Sequence, residues 1–598
     1  MSACSRNLAP LYGLAAAAGF TLGACSLIVD FTECTSDAQC NVDGAADWMC
    51  LDGKCVPPEG STGSPSGEPP ASSSSGDAPP TTEPGETTTT GDTTAQVTIT
   101  TTDDSSTGTT DNTTGPSGCT LNSECIADAG DGWLCIDGAC VNALTAECTS
   151  LVMPSGHDPD KVVLVGSIIP SSDPYAPLTL PLQNALQLAI GDYNKTTDLP
   201  GGYRIAWVTC DDQGKLQRAL DAASHLTGTL KVQAIVGPIF SEQVLAVAEQ
   251  VTIPAGVFLI SPTATARDIT KLDDGGLVWR TITSDAYQSN AIADRVLDLT
   301  PKVEKLALVH KDDAYGNGIA SDVVARLMVP LGQGLAVHPY PDPTTIPPDD
   351  LPATYGAVIA QAYGAMGEEH PDTIVLAGTT EVSSFVHGVL LLWSSENPPI
   401  PLPRFIVSHG AVPSMEDTVK SDNVPDPLKQ PLMSVLEGTA PVIFDPQNFA
   451  SFNARYKVTF NETDAITASS LSYDAGMLVM FAMAAVPMGE AITGAKIAAN
   501  IEKLQDPAGT KVSFGDVMGL TLTFIKTAHN ALVTGQTVDL KGVSGELQFD
   551  LATGEPRTNI IGWGLEPKMG DPNTPLLKQK REYKLDPAPL ETGQWMDL

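Results

Sequence analysis

From Lys161 onward, short apolar runs alternate with apolar stripes at helical spacing, and this alternation leaves the chain few architectures. Lys161-Val-Val-Leu-Val-Gly-Ser-Ile-Ile169 reads as a strand buried on both faces. Leu182, Ala185, Leu186, Ala189, Ile190 and Tyr193 then recur at the period of a helix. Tyr203 to Thr209 is the next strand, followed by a helical stripe through Leu216, Ala219, Leu220, Ala223 and Leu226. Val232 to Val236 and Val257 to Ile260 continue the strands. The pattern resumes at Lys305-Leu-Ala-Leu-Val-His310, the helical Ile319, Val323 and Leu327, and Thr373-Ile-Val-Leu-Ala377. Repeated strand–helix alternation implies parallel sheets covered by helices on both faces. About 440 residues exceed what one such sheet carries, so two α/β lobes are expected over 148–598. Ligands of open α/β sheets sit beyond the carboxyl ends of the strands, which here is the cleft between the lobes.

Cysteine spacing organises the residues before this domain. Cys34, Cys40, Cys50 and Cys55 have the spacing C-x5-C-x9-C-x4-C, and Cys119, Cys125, Cys135 and Cys140 repeat it. Trp48-Met-Cys-Leu-Asp-Gly53 matches Trp133-Leu-Cys-Ile-Asp-Gly138, so the modules at 34–56 and 119–145 are duplicates. At about 22 residues, neither can bury a core unaided. With no histidine in either, disulfides are expected rather than a metal site, two per module, with the pairing open. Asp-Gly before the last cysteine of each copy reads as a turn. Such modules serve as rigid spacers or as protein-contact knobs, and the spacer reading is the simpler. The stretch 57–118 is rich in Ser, Thr, Gly and Pro and has no Lys or Arg. It has too little apolar content to offset its ordering entropy and is expected to be a disordered tether. Its r.m.s. span would be about 40 Å.

The first residues carry an export signal. Arg6 precedes an apolar run from Leu8 to Leu22, too short to span a membrane. Leu22-Gly-Ala-Cys25 resembles a bacterial lipobox. The resemblance implies removal of 1–24 and acylation of Cys25, with 25–33 as the lipidated N-terminus; the alternative is an ordinary cleaved signal with a chance cysteine. Ser26, rather than Asp, resembles the outer-membrane sorting signal of such lipoproteins. The net charge of −39 would repel phosphate backbones, so no nucleic-acid partner is expected.

Several segments, in their order and spacing, carry a wider resemblance. They are Val236-Gly-Pro-Ile-Phe-Ser241, Ile260-Ser-Pro-Thr-Ala-Thr265, Arg280-Thr-Ile-Thr-Ser-Asp-Ala-Tyr-Gln288 and Leu308-Val-His-Lys-Asp-Asp-Ala-Tyr-Gly316. Pro371 to Ala377, Glu437-Gly438, Tyr473-Asp-Ala475 and Gly545 to Asp550 follow. The region from about Lys161 to Leu565 thereby resembles the leucine/isoleucine/valine-type solute-binding proteins, of the type I periplasmic-binding fold. The resemblance implies two lobes joined by three crossings that close on a ligand by hinge motion. It also implies that Ser241 and Thr265, with main-chain help near Thr263, hold a ligand carboxylate. Both follow strands and precede helical segments, where free N–H groups favour an anion, although the same residues would serve as N-caps. By resemblance Asp285 and, from the other lobe, Glu437 hold the ligand amino group, and Tyr315 lines the cleft.

The sequence departs from the family at Pro170 to Pro177, which is proline-rich and lacks a glycine before the first helix; Tyr175 and Leu178 are expected to line the cleft there. Segments at Tyr340 to Pro352 and Phe514 to Lys541 enlarge the domain. No His-Glu-x-x-His, Gly-x-Ser-x-Gly or phosphate-loop signature occurs, so the reading is a binding protein with no catalytic residue, metal or cofactor. Its expected partners are a small amino-acid-like ligand, an inner-membrane permease and, through the lipid, the membrane. A sensor or structural lipoprotein built on the same fold is the alternative. Cys148 and Cys210 complete the cysteine count, and their pairing would staple the tether to the first lobe. Intact-mass analysis of the exported protein should therefore find no free thiol; two free thiols would leave Cys148 and Cys210 unpaired.

Overall fold

The computed structural model describes residues 49–51, 54–56 and 114–598, apart from 365–369, 397–398, 518–521 and 588–590. The signal segment, Cys25, Cys34, Cys40 and the tether from 57 to 113 lie outside the described residues. The chain divides into two units, Met1–Thr109 and Thr110–Leu598. Of the first, the described part is a hairpin of Met49–Leu51 and Lys54–Val56, with Cys50 opposite Cys55.

The second unit opens with the second cysteine module, which begins at the strand Thr114–Ser117, in residues that the sequence reading gives to the tether. It continues through helix Asn122–Ala129 and the hairpin Trp133–Ile136 with Ala139–Asn142. Asp137 and Gly138 make the hairpin turn at φ +50° and +81°, the left-handed pair that matches strand twist. The disulfides are Cys119–Cys135 and Cys125–Cys140. This module is more than a spacer. Leu134, Val141 and Ala143 are buried against Val208, Ala219 and Leu226 of the first lobe. Asn122 Nδ2 donates to Pro159 O at 2.8 Å, and Ser123 Oγ donates to Asp160 Oδ2 at 2.7 Å.

The first lobe is built on a six-stranded sheet. Its strands are β1 (Cys148–Val152), β2 (Val162–Ile168), β3 (Arg204–Cys210), β4 (Ala234–Val236), β5 (Phe258–Ser261) and β6 (Val278–Arg280). They lie in the order β6-β5-β4-β2-β3-β1, and all are parallel except β1, which runs antiparallel to β3. Cys148 stands opposite Cys210 in that register, and the two are joined by a disulfide, as expected. The second lobe carries an eight-stranded sheet. Its first five strands are β7 (Leu306–Lys311), β8 (Leu335–Tyr340), β9 (Thr373–Ala377), β10 (Arg404–Val407) and β11 (Leu436–Pro441), parallel in the order β8-β7-β9-β10-β11. An antiparallel ribbon of β12 (Ile560–Lys568), β13 (Asp571–Leu585) and β14 (Gly593–Asp597) extends it.

The chain passes between lobes after β6, after β11 and before β12. Between the last two crossings it returns to the first lobe, where every residue of helix Ser469–Ala484 is buried. That helix packs on helix Ala176–Thr196 closely enough that a β-carbon at Gly476 would lie 2.8 Å from Leu186 Cδ1. The enlargement after Phe514 forms helix Thr523–Val533 and strand Val538–Lys541, which add Phe524, Ile525 and Leu540 to the same core. Among the described residues, no helix is long and apolar enough to cross a membrane.

The Cys148–Cys210 bridge spans 62 residues of chain, and a closed loop of that length lowers unfolded-state entropy by about 4 kcal/mol. A Cys148→Ser/Cys210→Ser variant should lose stability of that order in urea unfolding, while keeping the Cys119–Cys135 and Cys125–Cys140 bridges in a peptide map.

Candidate functional site

The carboxyl ends of both sheets face the cleft, and the loops leaving them carry the buried polar groups. After β4, Gly237 adopts φ +99°, with Ile168 O only 2.2 Å from where a β-carbon would sit. The turn delivers Ser241 to the first position of helix Ser241–Val247. Ser241 Oγ accepts from Thr265 N at 3.2 Å and Ala266 N at 3.1 Å, so it fixes the loop after β5 and retains its own proton to donate. Thr263 Oγ1 donates to Ile239 O at 2.8 Å, which leaves its main chain, not its side chain, for a ligand. Thr265 is 1% exposed, and its carbonyl accepts from Asp285 N at 2.8 Å.

Asp285 is the first residue of helix Asp285–Asp298, whose cap is Ser284; Ser284 Oγ accepts from Ala286 N. Asp285 is therefore not needed as the cap. Its Oδ1 accepts from Gln288 Nε2 at 2.9 Å, and its Oδ2 is buried without a hydrogen-bond partner. Burial pushes its carboxyl up to about 7, against the opposing pull of the Thr265 hydroxyl, Arg280 and Gln288.

The second lobe meets Asp285 through the segment after β10. His409 Nδ1 lies 4.0 Å from Asp285 Oδ1 and accepts from Gln288 Nε2 at 2.8 Å. Gln288 Oε1 accepts from His409 N at 2.9 Å and Thr439 Oγ1 at 3.0 Å, so this one amide spans three elements. Burial pushes the His409 imidazole down to about 4, so it is neutral at physiological pH. Tyr315 donates to Ser408 Oγ at 2.8 Å and accepts from Gly410 N at 3.2 Å, with its ring edge-on to His409. Burial, with Asp285 nearby, drives its phenol well above the ordinary range. Gly316 permits this approach: a β-carbon there would be 2.0 Å from Lys311 O.

Ser241, Thr265, Asp285 and Tyr315 are thus brought to one region, with Thr263 beside them. Glu437 is not part of it. Its carboxylate accepts from Arg295 at 2.8 and 3.0 Å and from Arg581 at 3.2 Å, and with two guanidinium partners it has no unpaired charge to offer. A second-lobe group beside Asp285 is instead His409, which the sequence reading missed along with Gln288 and Ser408. The available signal was the short apolar run Phe405-Ile-Val407 ending in Ser-His-Gly, a histidine at a strand's carboxyl end.

Residues 162–385 match the family model described as periplasmic binding protein. Over that segment the chain is similar to the periplasmic binding proteins. The Leu/Ile/Val-binding protein BraC3 of Rhizobium johnstonii is 32% identical over 167 residues, which are 28% of this chain and 44% of that protein. An amino acid binding protein of Pseudomonas aeruginosa is 29% identical over 126 residues, 21% of this chain and 33% of the relative. The chain thus matches less than half the length of each of these curated relatives. A possible leucine/isoleucine/valine-binding protein of Rhodopirellula baltica shares the fold, with TM-score 0.51 and 14% identity over 70% of this chain and 96% of that one. The type I periplasmic-binding fold is that of the two lobes described above.

In this two-lobed domain the Asp285 carboxyl sets a pH dependence. The unfolded chain ionises it near its ordinary value of about 3.9. Between about pH 4 and pH 7 the folded state therefore holds a proton that the unfolded state has lost, and stability falls as pH rises. Asp285→Asn removes this slope. Urea unfolding at about pH 4 and pH 8 should show the variant gaining up to about 4 kcal/mol on the wild type across the interval.

Proposed function

We propose that this chain is a lipid-anchored extracytoplasmic solute-binding protein that takes a small polar ligand with an amino-acid-like head group between its lobes for ABC-type uptake. The observation that carries the reading is Asp285, a buried carboxyl at the junction of the lobes with one oxygen unpaired. A desolvated ammonium needs such a carboxylate, and its charge would bring the Asp285 carboxyl down from about 7 into the ionised form. The Ser241 hydroxyl and the main chain of Thr263 to Thr265 then face the carboxylate of the same ligand, while Tyr315 and the neutral His409 enclose it. The names of the two curated relatives, a Leu/Ile/Val-binding and an amino acid binding protein, support this class of ligand.

The anchor rests on Leu22-Gly-Ala-Cys25, and Ser26 favours the outer membrane. A partner permease in the inner membrane would be reached through the Ser/Thr/Gly/Pro-rich stretch, whose r.m.s. span as a coil is about 40 Å.

Calorimetry of the purified full chain against the amino acids tests the reading. At least one should bind, and Asp285→Asn should weaken it by about a hundredfold or more, since an ammonium left without its buried partner costs roughly 3 kcal/mol or more. If no amino acid binds, or if the variant binds as tightly as the wild type, the amino-acid reading fails.

A further inference from the structure

A second set of unpaired polar atoms lies farther from the crossings, where the loops after β2 and β3 meet the loops after β7 and β8. Asp212 is fully buried. Its Oδ1 accepts from Gly214 N at 3.3 Å, which closes the local turn, but its Oδ2 has no partner. Gln243, 5% exposed, donates through Nε2 to Gly214 O at 2.8 Å, and its Oε1 is also buried and unpartnered. Both side chains converge on Gly214, which has φ +67°; a β-carbon there would lie 2.5 Å from Tyr175 Cε2. Tyr175 packs edge-on to Phe240, with ring centroids 5.1 Å apart. The two orphan atoms are therefore hydrogen-bond acceptors set beside an aromatic pair.

The opposite wall is acidic. Lys311 Nζ sits 5.8 Å above the Phe240 ring and is already paired with Asp313 at 3.0 Å and Asp342 at 2.6 Å. Glu381 accepts from Tyr340 at 2.7 Å and bears on the charge of Tyr175. Glu242, beside Gln243, feels Asp313 and Asp342 across the cleft. One cation is thus shared among an excess of carboxylates, and an aliphatic side chain placed there would leave the buried acceptors unpaired.

Resting on the proposed function, we infer that this distal region is a cation subsite and that the ligand is an amino acid with a basic side chain, not a branched aliphatic one. Its ammonium or guanidinium donates to Asp212 Oδ2 and Gln243 Oε1 and lies against the Tyr175–Phe240 pair, where the ring faces favour a cation. Entry requires the lobes to part, because Asp212 is closed off from solvent.

Calorimetry of the full chain with L-arginine, L-lysine, L-leucine and L-isoleucine tests the subsite. Arginine or lysine should bind at least tenfold tighter than leucine. Asp212→Asn retains the Oδ1 acceptor that closes the turn, and it should reduce that ratio at least fivefold. Glu242→Gln, an exposed change that leaves the packing intact, should reduce it in the same direction. Leucine or isoleucine binding as tightly as the basic amino acids, or a ratio that survives both substitutions, overturns the subsite while leaving the solute-binding reading in place. Failure of all four to bind, with another amino acid binding in their stead, also overturns the subsite alone. Failure of every amino acid overturns both.

Discussion

The arrangement of the cleft depends on a buried ion pair between Arg280 and Glu555. Their side chains are 1% and 8% exposed, so both charges have lost almost all contact with water. Such a pair is tolerable only when its remaining donors and acceptors are filled. Here Arg280 Nε lies 3.0 Å from Glu555 Oε2, Nη1 donates to Ala266 O at 2.9 Å and Nη2 donates to Thr270 Oγ1 at 2.7 Å. Arg280 N also donates to Gly554 O at 2.9 Å. One residue at the end of β6 therefore joins the first crossing, the third crossing and the loop that follows β5. Thr265 belongs to that loop, and its carbonyl takes the Asp285 N–H. The position of Asp285, and through Gln288 that of His409, follows from this junction.

Much of the fold was legible because parallel strands buried on both faces leave continuous apolar runs, as in Val162–Ile168 and Thr373–Ala377. The Cys148–Cys210 bridge was legible from the cysteine count. The ribbon β12–β14 was not. Leu577-Lys-Gln-Lys-Arg-Glu-Tyr-Lys584 reads as a charged surface segment, yet it pairs on both sides, because its polar side chains reach solvent while Tyr583 is buried. The second cysteine module's attachment to the first lobe was hidden for a related reason. Leu134 and Val141 are too few to mark an interface until the lobe supplies its partners.

Of the candidate residues, Ser241, Thr265, Asp285 and Tyr315 were picked out by local pattern, in the segments that follow strands or open helices, and the fold brings them to one region. Glu437 failed because its environment is made by distant residues. Arg295, on helix Asp285–Asp298, and Arg581, on β13, lie 142 and 144 positions away, and only the tertiary fold brings them to it. His409 was overlooked because a lone histidine carries little weight in sequence, and its meaning here comes from Gln288 and Tyr315. Asp285 itself shows how burial changes a familiar residue: at about 7 its carboxyl is half-ionised where an exposed one would be fully charged.

The ion pairs around the lobe junction differ in strength according to their exposure. Arg280–Glu555 joins two segments of the first lobe beside the crossings and is sealed from solvent, so separating it would strand two charges in the interior. Away from the crossings, Arg267 of the first lobe reaches Asp322 of the second at 2.8 Å and Glu591 at 3.1 Å. These side chains are 19% to 37% exposed, and water can replace their contacts at a cost of about 1 kcal/mol or less each. The exposed pairs that cross between the lobes are thus individually weaker than the sealed first-lobe pair through which Asp285 is positioned.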